Sequence, residues 1–172
     1  LRRDLEWLGL DWDEEQTPQS QRTEAYAEAF ARLDTYPCYC SRNELHAASA
    51  PHASDGTFVY AGTCRNLTAA ERAAKTRRPA WRVRVPDEEV SFLDGLQGEV
   101  RENLARECGD FILRRSDGVY AYQLAVVVDD AAGGVTEIVR GADLLRSTPR
   151  QLWLQEQLGF PHPHYYHVPL LC

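Results

Sequence analysis

Apolar residues recur at helical spacing twice near the start of the chain. Leu1, Leu5 and Leu8 share one stripe that Gly9 stops, so residues 1–9 read as the end of a helix. Tyr26, Ala29, Phe30 and Leu33 form a second stripe, so a helix over 21–33 is expected, capped by Ser20 and closed off by Pro37. Residues 37–64 lose this periodicity and collect turn formers, including Pro51 and Ser54-Asp55-Gly56. A segment that long needs something to hold it together.

The pattern then changes period. Thr68 and Glu71 make a capping box that opens a short helix to about Thr76. Trp81, Val83 and Val85 alternate with Arg82 and Arg84, the pattern of a half-exposed strand. Val90–Leu93, Glu99–Arg101 and Phe111–Leu113 are further short strand candidates, the last followed by a Ser116-Asp117-Gly118 turn. β-Branching at Val126, Val127 and Val128 favours a strand by local propensity. A strand over 135–139 follows, then a helix with Pro149 in its first turn, capped by Ser147 or Thr148 and running to Leu158, and a last strand over 167–171. Strand, helix and strand after residue 110 predict parallel α/β architecture.

Composition narrows the class. A hydrophobic share of 44% with 26% charged residues is that of a globular chain able to bury a core, and no run approaches the length of a membrane span. The first residues are too charged for a signal peptide, so a cytoplasmic protein is expected, without membrane association. The chain starts at Leu1 and contains no methionine, which is expected of a fragment. Its net charge is −7, yet residues 65–84 hold seven basic groups against the single acid Glu71. That local concentration fits RNA contact, and equally a solvated helix face.

Five cysteines are present, three of them within 27 residues. In a chain without secretory signals this clustering favours a metal over disulfides. Cys38, Cys40 and Cys64 need a fourth donor to close a tetrahedral zinc site, and Tyr60, His46 and His52 are the candidates. General chemistry favours a histidine. Three buried free thiols are the alternative. Cys108 reads as a small core residue.

The run GVYAYQLAVVVDDAAGGVTEIVRGADLL (118–145) resembles the second half of the catalytic domain of class I glutamyl- and glutaminyl-type tRNA synthetases. WLGLDWDEE, QSQR, STPRQLWL and HVPLL match the same family. Within it, AYQLAVVVDD and RGADLL are most similar to the shortened glutamyl-queuosine tRNA(Asp) type. The resemblance implies a fold: α/β, part of a Rossmann-type catalytic domain with a small inserted zinc-containing α+β subdomain. The first catalytic part would be residues 1–36, the insertion 37–105 and the second catalytic part 106–172.

It also implies roles. The zinc ligands become Cys38, Cys40, Tyr60 and Cys64, in place of a histidine, and the segment after Tyr122 becomes helical. Tyr122 and Arg140 contact glutamate, and Gln123 lines the same pocket. The Arg140 fork suits bidentate binding of a carboxylate at a sheet's ligand-facing edge. A salt bridge to an internal acid and a core tyrosine are the alternatives at Arg140 and Tyr122. Asp143 and Leu144 lie where the family approaches the nucleotide. Asp129 and Asp130 look like a metal pair but are expected to tie down a helix end by hydrogen bonds.

The implied reaction is activation of glutamate by ATP, with Mg, and transfer to queuosine of tRNA(Asp) by a monomer. An ordinary glutamyl-tRNA synthetase fragment and a non-catalytic zinc- and RNA-binding remnant are the competing readings. Both ATP signature motifs of the family, one of the His-x-Gly-His type and one of the Lys-Met-Ser-Lys-Ser type, would lie outside the 172 residues. The isolated piece is therefore expected to be inactive.

Overall fold

The computed structural model describes residues 2–41, 43–45 and 59–170. The predicted helical stripe at 26–33 is the one the fold buries: α2 (Thr23–Ala31) sets Tyr26 and Ala29 into the core, with Leu33 just beyond it. Ser20 does not cap this helix. It sits in a 3-10 turn over Gln19–Gln21, and Arg22 takes the cap position without a side-chain bond. The earlier stripe behaves differently, because α1 (Arg2–Trp7) buries no residue and leaves Trp7 and Leu8 exposed.

Pro37 does not end a unit but lies inside strand β1 (Thr35–Cys38). Strand β2 (Ala80–Val83) pairs with β1 on one side and with β5 (Ile112–Arg114) on the other, both antiparallel. Arg82 and Val83 are both buried, so the alternation that predicted a half-exposed strand misjudged it. Both faces of this strand are covered: one by the main core, the other by the cysteine segment. Between β1 and β2, Thr68 and Glu71 form the predicted capping box on α3 (Ala69–Ala73), which is shorter than expected.

A hairpin of β3 (Glu89–Asp94) and β4 (Gly98–Asn103) leads through α4 (Leu104–Glu107) to β5. The three-valine run is helical: α5 (Tyr122–Ala132) buries Leu124, Ala125, Val127 and Val128, so tertiary burial overrides the β-preference of the valines. Then comes a parallel unit: β6 (Glu137–Gly141), α6 (Thr148–Leu158) and β7 (His164–Val168), with Arg140 opposite His167 in the register. The last strand lies three residues earlier than the sequence suggests, and residues 171 and 172 fall outside the described set. Gly159, in the left-handed region, closes α6.

One core joins these pieces, with Leu104, Leu113, Leu124 and Leu154 fully enclosed. Cys108 belongs to it, as read from the sequence. Asp129 locks α5 to α2 by accepting from Gln19, Arg22 and the Tyr26 hydroxyl. This is the hydrogen-bonding role expected of that aspartate. The hairpin docks on β7 through Gly95 N–H to the Tyr165 carbonyl and Gln97 to the His167 carbonyl. No described helix is long and apolar enough to cross a membrane.

Candidate functional site

Two constellations gather the residues that the sequence singled out. The first is the cysteine cluster. Cys38 ends β1, Cys40 follows in the loop, and Tyr60 and Cys64 return from the far side of the segment. The three Sγ atoms lie within 4.8 Å of one another and can together hold a metal ion. Sγ of Cys40 is 3.6 Å from Sγ of Cys64, and the Tyr60 hydroxyl is 3.5 Å from Cys38 and 4.0 Å from Cys40. His46 and His52, the alternative donors, lie outside the described residues.

The backbone supports this arrangement. Tyr60 forms a β-bridge with Gly109, whose φ of +65° and bare Cα allow the close approach. A Cβ there would stand 2.6 Å from the Tyr60 carbonyl oxygen. The Cys64 N–H donates to the Tyr60 hydroxyl oxygen at 2.8 Å, and the Tyr39 N–H points at Cys64 Sγ at 3.5 Å. Burial opposes ionisation of Cys38, but the Tyr60 hydroxyl and the Arg82 guanidinium outweigh it and lower its pKa. Burial and the neighbouring thiols push Cys40 up to about 12.

The basic stretch beside it divides in two. Arg65 pairs with Asp110, Arg84 stacks on Tyr36, and Arg82 stacks on Tyr60 with its Cζ 3.8 Å from the ring centre. All three are engaged by neighbours within the fold. Lys75, Arg77 and Arg78 remain exposed; Arg77 lies 3.8 Å from Glu44, and Lys75 joins Cys40 and Cys64 in lining a 380 Å³ cleft.

The second constellation stands at the C-terminal ends of β6 and β7. Arg140 is half-buried; its Nε donates to His167 Nε2 at 3.0 Å and its Nη2 to Thr148 Oγ1 at 2.8 Å. Its Cζ lies 5.2 Å from the ring centre of Tyr165. Among the described residues no carboxylate comes within ion-pair distance of it, although Asp130 feels its charge. Arg140 is thus held by neutral groups.

Tyr122 opens α5 and is about half exposed; nearby, burial raises the pKa of Tyr165 against the Gln155 amide and the Arg140 charge. Gln123 ties this helix to the next by donating to Ser147 and accepting from Gln151. The hydroxyls expected to cap α6 are therefore spent elsewhere: Ser147 on Gln123, Thr148 on Arg140 and His167. Asp143 and Leu144 lie on the 3-10 turn Ala142–Ser147 that follows β6 directly, Asp143 exposed and Leu144 half-buried.

Sequence reasoning missed Asp94, Thr148 and His167 as site residues. Nδ1 of His167 is 2.6 Å from Asp94, and both side chains are sealed from solvent. An imidazole in the middle of the apolar run HYYHVPLL was the available signal.

Comparison with known proteins follows the same lines. Residues 1–172 match the family model of tRNA synthetases class I (E and Q), catalytic domain. A Glutamyl-Q tRNA(Asp) synthetase of Neisseria meningitidis is 54% identical over 171 residues, covering 97% of this chain and 57% of the relative. One of Deinococcus radiodurans is 53% identical over 176 residues, covering 99% and 57%. The chain thus spans a little over half the length of these relatives. Among solved structures, a glutamate–tRNA synthetase from Elizabethkingia anophelis superposes with a TM-score of 0.79 at 25% identity, over 99% of this chain and 39% of that one.

Proposed function

Because the chain belongs to the catalytic-domain family of the class I tRNA synthetases for E and Q, we propose that it is part of a ligase that activates glutamate with ATP and transfers it to queuosine of tRNA(Asp). The acceptor assignment is supported by the names of relatives at 53–54% identity. In the first step a glutamate α-carboxylate oxygen attacks the α-phosphorus of ATP, giving glutamyl-adenylate and pyrophosphate, with Mg on the phosphates. In the second, a hydroxyl of the queuosine ring attacks the acyl carbon and AMP leaves. Chemistry of this kind rests on positioning and charge stabilisation and needs no protein nucleophile.

The observation that carries the reading is Arg140. Its guanidinium stands at the C-terminal rim of a parallel strand pair, where α/β sheets bind ligands. Two of its nitrogens are fixed by neutral acceptors, so its charge is left for a carboxylate from outside. Arg140 takes the glutamate side-chain carboxylate, Tyr122 donates its hydroxyl to the same substrate, and Asp143 and Leu144 border the nucleotide.

The cysteine cluster holds structural zinc. A tetrahedron with Zn–S of about 2.3 Å and Zn–O of about 2.0 Å has edges of about 3.8 Å between sulfurs and 3.5 Å between sulfur and oxygen. The 3.6 Å between Cys40 and Cys64 and the 3.5 and 4.0 Å from Tyr60 to Cys38 and Cys40 fit that shell. Zinc would then order residues 37–105 as a subdomain inserted between 1–36 and 106–172, and the exposed Lys75, Arg77 and Arg78 beside it suit an RNA backbone.

The test is glutamate-dependent ATP–pyrophosphate exchange by the protein with its flanking sequence. Arg140→Leu should lower the exchange rate at least about a hundredfold while the fold is retained. Exchange at the unsubstituted rate would remove Arg140 from the pocket and the reading with it.

A further inference from the structure

We propose that Arg82 is the counter-cation of the metal cluster: a buried guanidinium that balances the surplus negative charge of the zinc-bound shell. The inference rests on the reading of Cys38, Cys40, Tyr60 and Cys64 as zinc ligands. It adds a residue that belongs to none of the ligand positions.

Arg82 is only 6% exposed, and buried arginines are ordinarily paired with an acid. Among the described residues, none of the ion pairs involves Arg82. The nearest candidate, Asp110, gives it only a backbone carbonyl, at 2.6 Å from Nη1. The carboxylate of Asp110 is already taken by Arg65, the Tyr36 hydroxyl and the Val85 N–H. Arg82 Nε is buried without a hydrogen-bond partner. A cation so placed has no carboxylate partner among the described residues.

Its position supplies the missing partner. The guanidinium lies over the Tyr60 ring, with Cζ 3.8 Å from the ring centre, and β2 sets it directly beside β1, which carries Cys38. Three thiolates and one Zn²⁺ sum to −1, and an ionised Tyr60 makes the shell −2. In a low-dielectric site that surplus costs as much as the lone cation does, and each charge offsets the other. Stacking on a neutral ring would attract the cation weakly; stacking on a metal-bound phenolate attracts it far more. Zinc sites commonly depend on such neighbours, and losing one typically costs 10–100-fold in affinity.

Charge balance makes a prediction that simple packing does not: the sign of the effect depends on the metal. The experiment uses the purified full chain in three forms: unsubstituted, Arg82→Met and Arg82→Lys. Zinc affinity is measured by chelator competition. Thermal stability is measured with zinc and after its removal, and Co²⁺ is used as a spectroscopic probe of thiolate coordination. The unsubstituted protein should bind one zinc; failure here overturns the zinc reading itself, before Arg82 is tested. Arg82→Met should bind zinc at least about tenfold more weakly, yet its metal-free form should be as stable as the unsubstituted metal-free form or more so. Arg82→Lys, which keeps the charge, should stay within about threefold in affinity. Equal destabilisation of the metal-free and zinc forms by Arg82→Met, or unchanged zinc affinity, would overturn the proposal. If Arg82→Met does not fold, Arg82→Gln replaces it, and a lysine variant that binds zinc no better than the glutamine variant is equally fatal.

Discussion

His167 Nδ1 sits 2.6 Å from Asp94 Oδ2, and neither side chain reaches solvent. The pairing fixes the imidazole tautomer. Arg140 Nε can only donate, so His167 Nε2, 3.0 Å away, must accept, and the ring proton resides on Nδ1 facing the carboxylate. A buried aspartate in the β3–β4 hairpin thereby sets the orientation of an arginine on β6.

Acid should weaken the fold through Asp94. Burial alone would raise its pKa, but hydrogen bonds from His167 and from the N–H groups of Gln97 and Leu96 outweigh it and bring it down to about 2. A carboxylate depressed in the folded state stabilises the fold above its unfolded pKa of about 4, and that contribution disappears as pH falls toward 2. It amounts to about 2–3 kcal/mol at neutral pH. Denaturant titrations between pH 7 and pH 2 should show this loss, and Asp94→Ala should flatten it at a cost of about 3–5 kcal/mol at neutral pH. An equally steep acid dependence in the variant would contradict the assignment.

Substitution of His167 should act on substrate binding through Arg140. His167→Ala removes the acceptor of Nε but leaves the guanidinium in place, so KM for glutamate should rise about tenfold or more, with a smaller change in KM for ATP. Arg140→Lys keeps a charge without the planar fork and should recover only part of the activity lost in Arg140→Leu. Steady-state kinetics of the protein with its flanking sequence checks both.

Chelation should release the cysteine segment selectively. Metal analysis should find about one zinc per chain, and treatment with a strong chelator should raise amide exchange around Cys38–Cys40 and Tyr60–Cys64 while β6 and β7 keep their protection. Exchange that is unaltered by zinc removal would contradict a structural metal.

Gly109→Ala tests the backbone contact behind the cluster. The left-handed φ of +65° and a Cβ that would stand 2.6 Å from the Tyr60 carbonyl combine conformational strain with a steric clash. The variant should lose about 2–4 kcal/mol of stability and bind zinc more weakly, because Tyr60 must move. A Tm within about 2 °C of the unsubstituted protein would show that the bridge is dispensable.

Tyr26→Phe should loosen the joint between α2 and α5 by about 1 kcal/mol. Its hydroxyl meets both carboxylate oxygens of Asp129, and burial together with that carboxylate raises its pKa to about 12. Thermal unfolding measures the loss directly.

Local patterns that carry their own cause were legible in the sequence. The Thr68–Glu71 capping box, the α2 stripe and Pro149 in the first turn of α6 each depend on neighbours a few residues away. Resemblance turned the valine run into a helix, as the structure has it, and pointed to Tyr60, whose hydroxyl lies 3.5 Å from Cys38. The exposed stripe of α1 shows the limit of such patterns, since spacing defines a face and does not say what covers it.

The sequence by itself determined which residue types were available: the closely spaced thiols, a lone arginine before Gly141, and the periodicities of the main helices. Tertiary structure decided which of them meet. Whether Arg82 faces solvent or Tyr60, whether Thr148 caps a helix or holds Arg140, and whether His167 is a strand filler or a hinge between Asp94 and Arg140 all depend on contacts between residues far apart in the chain. Charges and hydrogen-bond donors act over a few ångströms in space, and only the packing of the strands brings those groups within that range.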